Sequence, residues 1–197
     1  ALNCVANGKL LQENLFKDIY IQPAAGDAGG ALGAALAVSH IYFGEERVQP
    51  GFYDIMNGSY LGPSYSDKEI ELMSRKMRAV YSRVEEKEEL ARLTATKLAQ
   101  GNVVGWFQGR MEFGPRALGN RSILGDPRNP DMQKKLNLKI KYREGFRPFA
   151  PSVLAEDTAS FFQLDSASPY MLLVAPVQEK RRVALPADYY DLSLIHI

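Results

Sequence analysis

The sequence predicts an α/β (or α+β) fold with a mainly buried sheet. Strand-length apolar runs alternate with amphipathic helical patterns, clusters of Gly, Pro and Asn separate them, and no segment repeats. With 197 residues, 46% hydrophobic and 24% charged, the chain has the make-up of a globular protein able to bury a core.

In chain order, Ala1–Gly8 reads as strand and turn, followed by a helix over Lys9–Glu13 and a strand over Ile19–Gln22. A Gly-rich loop then leads into a helix of small residues, Gly30–Phe43. Between Gly44 and Ser59 periodicity vanishes, which marks a connector and places a boundary near Gly58, dividing 1–58 from 59–190. Ser66-Asp67-Lys68-Glu69 is a capping box, opening a helix whose apolar stripe is Ile70, Met73 and Met77. A short strand is expected at Val80–Val84, then a helix at Glu85–Gln100 stopped by Gly101. Asn102–Gln108 predicts a buried strand, and a Gly/Arg-rich loop region follows it. Pro130–Leu138 predicts a short helix capped by Asn129. Strands at Phe149–Leu154 and Tyr170–Val177, with a helical turn at Glu156–Phe162 between them, complete the alternation. Residues 191–197 follow no pattern and read as an artefactual tail, which leaves His40 as the only histidine for any chemistry.

Composition argues against several functions. A net charge of +1 gives no global reason to bind nucleic acid or an anionic membrane. The longest apolar stretch, Ala31–Phe43, falls short of the about 20 residues a membrane span needs. A single Cys4 and the lack of a secretory pattern point to a reducing cytoplasm.

Three segments carry candidate chemistry. Gly26-Asp27-Ala28-Gly29-Gly30-Ala31-Leu32-Gly33 follows a predicted strand and opens a helix. Such glycines let a ligand approach the backbone, and the helix terminus offers free N–H groups to a phosphate; equally, they permit close helix packing. Asp27 at that turn is of the type that holds a divalent metal. Second, Lys97–Arg147 holds eleven basic residues against four acids, a local charge of +7 hidden by the neutral total. Within it Arg110, Arg116 and Arg121 stand among glycines in predicted loops, suiting bidentate capture of phosphate or carboxylate. Third, Lys141, Arg143 and Arg147 precede a predicted strand and can aim charge at one anion, or form a rim of surface pairs with Glu144.

Taken together, Ala1–Lys9, Gly26–Ala35, Gly109–Arg128 and Lys141–Ser152 resemble the NodU/CmcH family of carbamoyltransferases. The resemblance implies the tail of an actin-like ATPase-superfold domain over 1–58 and a YrdC-like twisted-sheet domain over 59–190, in a C-terminal fragment of a longer enzyme. It implies an ATP-dependent O-carbamoyltransferase: ATP and carbamoyl phosphate form carbamoyl-adenylate, and a hydroxyl of a small-molecule or sugar acceptor receives the carbamoyl group. On this reading Asp27 is a ligand of a divalent metal, iron, and Mg2+ accompanies ATP. Asn3, Gly29, Gly30 and Gly33 line nucleotide, with Arg110 and Arg143 also on the nucleotide. Arg116, Arg121, Lys141 and Arg147, together with Arg143, hold the phosphates of ATP and carbamoyl phosphate. The family's His-x-x-x-His metal motif is not in this chain, so the fragment alone is not expected to perform transfer. Two other classes compete. A threonylcarbamoyladenosine-type tRNA-modifying enzyme would need a tRNA groove. A non-catalytic RNA-binding module would use Trp106, Phe107, Phe113 and Phe146, aromatics whose strand-like alternation suits a core better.

Overall fold

The computed structural model describes residues 1–48, 54–164 and 167–184; the expected tail at 191–197 and the end of the second predicted domain lie outside these residues. Helices predominate: α1 (Cys4–Gln12), α2 (Asp27–Ala37), α3 (Asp67–Lys76), α4 (Lys87–Ala99), α5 (Met132–Lys135) and α6 (Thr158–Phe161) accompany strands β1 (Val104–Phe107) and β2 (Arg121–Leu124). The mixture of helices with a small antiparallel sheet is consistent with an α/β class.

Helix α1 replaces the expected strand and turn, because Asn3 caps it. The Asn3 side chain accepts the N–H groups of Val5 and Ala6, both at 3.1 Å, satisfying two donors that a helix start leaves open. Asn7-Gly8, a turn signal in isolation, sits inside the helix because tertiary contacts occupy it. The Asn7 amide donates to the carbonyls of Ala1 (2.8 Å) and Leu172 (3.0 Å). Ile19–Gln22 is irregular rather than a strand and ends in a turn, Ala25 N–H donating to the Gln22 carbonyl at 3.0 Å.

Helix α2 begins at Asp27, three residues before its expected start, and continues through a π-helical turn over Val38–Tyr42. The capping box of α3 forms as predicted: the Ser66 hydroxyl accepts from Glu69 N–H at 3.4 Å while Ser66 N–H donates to the Glu69 carboxylate at 2.8 Å. Helix α4 also matches expectation, and Gly101 N–H closes its end on the Leu98 carbonyl at 2.8 Å.

The sheet is smaller than the sequence predicts. β1 and β2 pair antiparallel, with Val104 opposite Leu124 and Phe107 opposite Arg121. β1 alternates half-buried with exposed residues instead of being covered on both faces, and Arg121 opens a strand rather than standing in a loop. Among the described residues the predicted strands at Val80–Val84 and Phe149–Leu154 find no partner, and Tyr170–Val177 contributes one isolated bridge, Phe162 to Val177. Apolar alternation marks a surface suited to pairing, but a strand exists only where a second backbone answers it.

α5 follows the predicted 130–138 helix but begins at Met132 and continues through a π-helical stretch to Lys141; Asp131 rather than Asn129 stands at its start, and the Asn129 side chain instead accepts from Asp131 N–H at 2.9 Å in the preceding turn. α5 lies over the end of β2: Met132 and Leu136 are buried, and their side chains approach the backbone of Gly125 closely enough to leave no room for a Cβ. The turn at 155–161 forms as expected. Among the described residues no helix is long and apolar enough to cross a membrane.

Candidate functional site

Three of the four segments that carry the resemblance, at 1–9, 26–35 and 109–128, come together. Residues 59–63 run beside 111–113, with Phe113 N–H donating to the Ser59 carbonyl (2.6 Å), Gly62 N–H to Met111 (2.9 Å) and Met111 N–H to Pro63 (2.9 Å). From this anchored edge the chain makes the loop 114–120 before entering β2. The loop is wound round Glu112, whose side chain is fully buried. Its carboxylate accepts the N–H groups of Leu118 (2.6 Å) and Asn120 (2.8 Å) with one oxygen and Nε of Arg121 (3.1 Å) with the other. Arg121 then donates through Nη2 to the Gly114 carbonyl at 2.7 Å, so carboxylate and guanidinium together span the loop. Tyr60 adds a hydroxyl bond to the Leu118 carbonyl at 2.8 Å. Burial alone would push the Glu112 carboxyl up; the backbone N–H groups of Asn120, Leu118 and Glu112 itself, with Arg121, outweigh it and hold the group below its ordinary range.

The glycine turn packs on this loop. Ala24, fully buried, lies between Gly29, whose position has no room for a Cβ because the Ala24 carbonyl would sit 2.4 Å away, and Gly114. Gly114 has φ +119°, and a Cβ there would lie 3.1 Å from that of Ala24. Arg116 reaches past this contact and donates through Nη2 to the Leu2 carbonyl at 2.7 Å. Its Nε is buried and has no hydrogen-bond partner among the described residues. Gly30 and Gly33, by contrast, face open space on α2, and Gly26 supplies no side-chain cap to that helix.

A second basic loop, 141–149, is organised differently. Asn137, completely buried, donates to the carbonyls of Gly145 (3.1 Å) and Arg147 (2.8 Å) and accepts from Nε of Arg143 (2.7 Å). Gln133 reinforces it through a 3.2 Å bond to the Arg147 carbonyl, and the Arg143 guanidinium lies 4.9 Å over the Phe149 ring. Arg147 pairs with Glu144 at 2.9 Å at the surface, whereas Lys141 is exposed.

Three of the four acids in the basic stretch therefore neutralise specific arginines: Glu112 with Arg121, Asp126 with Arg128, and Glu144 with Arg147. Among the described residues, Arg110, Arg116 and Arg143 bond only neutral oxygens, of Leu61, Leu2 and Asn137, and have no carboxylate in direct contact. A depression of about 430 Å³ lies elsewhere, at Ala99, Asp126, Arg128 and Asn129, and includes none of the predicted site residues. There the Arg128 fork holds the Asp126 carboxyl down to about 2.

Asn3 serves as the α1 cap, and Asp27 stands exposed in the first turn of α2. Among the described residues no three metal-ligating side chains come together, so these residues do not form a metal site by themselves. Sequence reasoning missed Glu112 and Asn137. A signal for the first existed: Glu112 is the only acid between Gly109 and Gly125, among glycines and apolar residues. Asn137 interrupts the apolar stripe of Met132 and Leu136.

Comparison with known proteins bears on these segments. Residues 1–36 match the family described as carbamoyltransferase N-terminus and residues 95–191 the one described as carbamoyltransferase C-terminus. An uncharacterized protein of Synechocystis sp. is 60% identical over 98% of this chain and 31% of its own length. The nodulation protein NolNO of Sinorhizobium fredii is 45% identical over 95% of this chain and 27% of its own. A 3'-hydroxymethylcephem-O-carbamoyltransferase of Amycolatopsis lactamdurans is 34% identical over 90% of this chain and 31% of its own. The chain thus spans under a third of the length of these curated relatives.

Proposed function

The chain belongs to the carbamoyltransferase family, and on that premise we propose that the protein carrying it is an ATP-dependent O-carbamoyltransferase acting on a hydroxyl of a small-molecule or sugar acceptor. Water first cleaves carbamoyl phosphate to carbamate and inorganic phosphate; the carbamate oxygen then bonds to the α-phosphorus of ATP as the bond to pyrophosphate breaks. The acceptor hydroxyl then attacks the carbamoyl carbon and AMP departs. We assign residues 1–58 to the tail of an actin-like transfer domain and 59–190 to a YrdC-like adenylate-forming domain. A relative named as a cephem O-carbamoyltransferase supports the hydroxyl acceptor.

The observation that carries this reading is Arg116. Its guanidinium holds a buried N–H without an acceptor among the described residues, where a segment of the carbamoyltransferase C-terminus meets one of the N-terminus. A buried donor of that kind calls for a partner, and a phosphate or carboxylate oxygen is the natural one. Arg110, Arg143 and Lys141 add positive charge, and Arg147 becomes available when its exposed pairing with Glu144 opens. Charge builds on the departing phosphates during adenylate formation. Guanidiniums already fixed by the fold stabilise it without reorganising. At the other end, the open face of Gly30 and Gly33 and the uncapped start of α2 suit a nucleotide, with Asn3 at the head of α1 as a further contact. Asp27 would give a divalent metal one ligand, the rest coming from outside these residues.

Pyrophosphate release by the full-length protein tests the proposal. Release is expected only with ATP and carbamoyl phosphate together. Release driven instead by bicarbonate and threonine, or none under any of these conditions, would overturn it.

A further inference from the structure

We propose that Glu112 is the positioning residue of the 114–120 loop, and that Arg121 works with it as part of the scaffold rather than as a ligand for phosphate. The assignment deepens the function proposed above and rests on that reading for its catalytic consequence, since the loop so shaped is the one that presents Arg116.

The geometry points this way on four counts. The Glu112 side chain is fully buried and reaches no solvent or open depression, so it is not placed to touch a substrate. Both of its oxygens are occupied by groups of the loop itself: the N–H groups of Leu118 and Asn120 on one, Arg121 on the other. Arg121 uses its remaining fork to fix the Gly114 carbonyl, closing the loop at its far end. The Arg121 side chain is one-third exposed, and both of these bonds would have to break before its guanidinium could turn away to an incoming anion. A buried carboxylate stripped of its partner is costly, so the pair moves as a unit or not at all. Arg116 offers the opposite case: it lies on the loop itself and, among the described residues, has no carboxylate partner and a buried Nε–H without an acceptor. Arg121 is thus committed to shape, while Arg116, though tied to Leu2 through Nη2, keeps a donor for chemistry.

The test uses the full-length protein with variants Glu112→Gln, Arg121→Gln, Arg121→Lys and the double variant Glu112→Gln/Arg121→Gln. First, amide exchange at Leu118 and Asn120 is expected to quicken at least tenfold in Glu112→Gln and in both Arg121 variants. Unchanged exchange overturns the assignment, whatever the activity. Second, kcat/KM for carbamoyl phosphate in pyrophosphate release is expected to fall in each single variant by a similar factor, roughly 10- to 100-fold. The double variant should fall no more than about threefold further, because both changes remove one element of support. Losses that multiply would show that Arg121 acts on substrate independently. Third, Arg121→Lys keeps the charge but not the fork that joins Glu112 to Gly114. It is expected to be as impaired as Arg121→Gln; rescue by lysine would mark Arg121 as a phosphate ligand and overturn the proposal. Should wild type release no pyrophosphate, the functional reading fails separately. Titration with inorganic phosphate then decides the assignment: the Arg116 Nε resonance is expected to shift, and movement of Arg121 Nε instead overturns it.

Discussion

Residues 109–121 and 141–149 are both basic loops wrapped round one buried polar side chain, yet the central group of the first is a charged carboxylate and that of the second a neutral amide. Glu112 gathers donors: two backbone N–H groups and a guanidinium. Asn137 gathers two carbonyls with its N–H groups and one guanidinium with its oxygen. A carboxylate can only accept, so it suits a loop whose orphan groups are N–H; an amide serves a loop that presents carbonyls as well. The difference also divides the arginines. Glu112 neutralises Arg121 and withdraws it, while Asn137 orients Arg143 and leaves its charge in place.

Removing the two central groups should break the loops unequally. Glu112→Ala is expected to cost about 4 kcal/mol in the local opening of 114–120, because it leaves the Arg121 charge without its carboxylate and Arg121 Nε and two backbone N–H groups without their acceptor. In hydrogen exchange this reads as about a thousandfold loss of protection at Leu118 and Asn120. Asn137→Ala should cost about 2 kcal/mol, read at the Arg143 amide that closes on the Asn137 carbonyl. Protection lost equally at both loops would deny that they are separately organised.

Gly114→Ala is expected to cost about 1–2 kcal/mol at the first loop only, since it forces φ +119° and a 3.1 Å contact with Ala24 on a residue that tolerates neither. Acid should sharpen the comparison further. The Glu112 carboxyl is held below its ordinary value of 4.5 in the folded loop. Its contribution is therefore complete above that value and fades as pH falls through the lower folded one. Exchange at Leu118 and Asn120 should quicken there relative to neutral pH, after correction for intrinsic rates, while the Asn137 contribution to Arg143 protection stays level. A matching acid response at Arg143 that persists in Glu144→Gln would contradict this. The smallest effect is reserved for Arg147→Ala: its ion pair with Glu144 is solvent-exposed, so no measurable change in protection is expected at either loop, and any loss should appear in phosphate binding alone.

Helices α3 and α4 were legible because their signals are local: a capping box, an apolar stripe, a terminal glycine. The strands were legible only in part, since Val80–Val84 and Phe149–Leu154 carry the same apolar pattern as Val104–Phe107 but lack an answering backbone. β2 was hidden by its Gly/Arg-rich approach. Of the candidate site, the basic stretch and its loop arginines could be read in order. Which of them remained free could not, because pairing depends on Glu112, Asn137 and Leu2 arriving from other positions.

By itself, then, the chain's order of residues determined the capping box of α3, the glycine stop of α4, the +7 charge of 97–147 and the family to which its motifs belong. Only the tertiary structure decided that Asn3 starts a helix whose Asn7 reaches Leu172, that Ala24 seats Gly114, and that Arg121 is spoken for while Arg116 is not. The reason is one of range. Caps and charge density act over a few residues, whereas a buried polar group is satisfied by whichever donor or acceptor the fold brings within about 3 Å, however far away it lies in the chain.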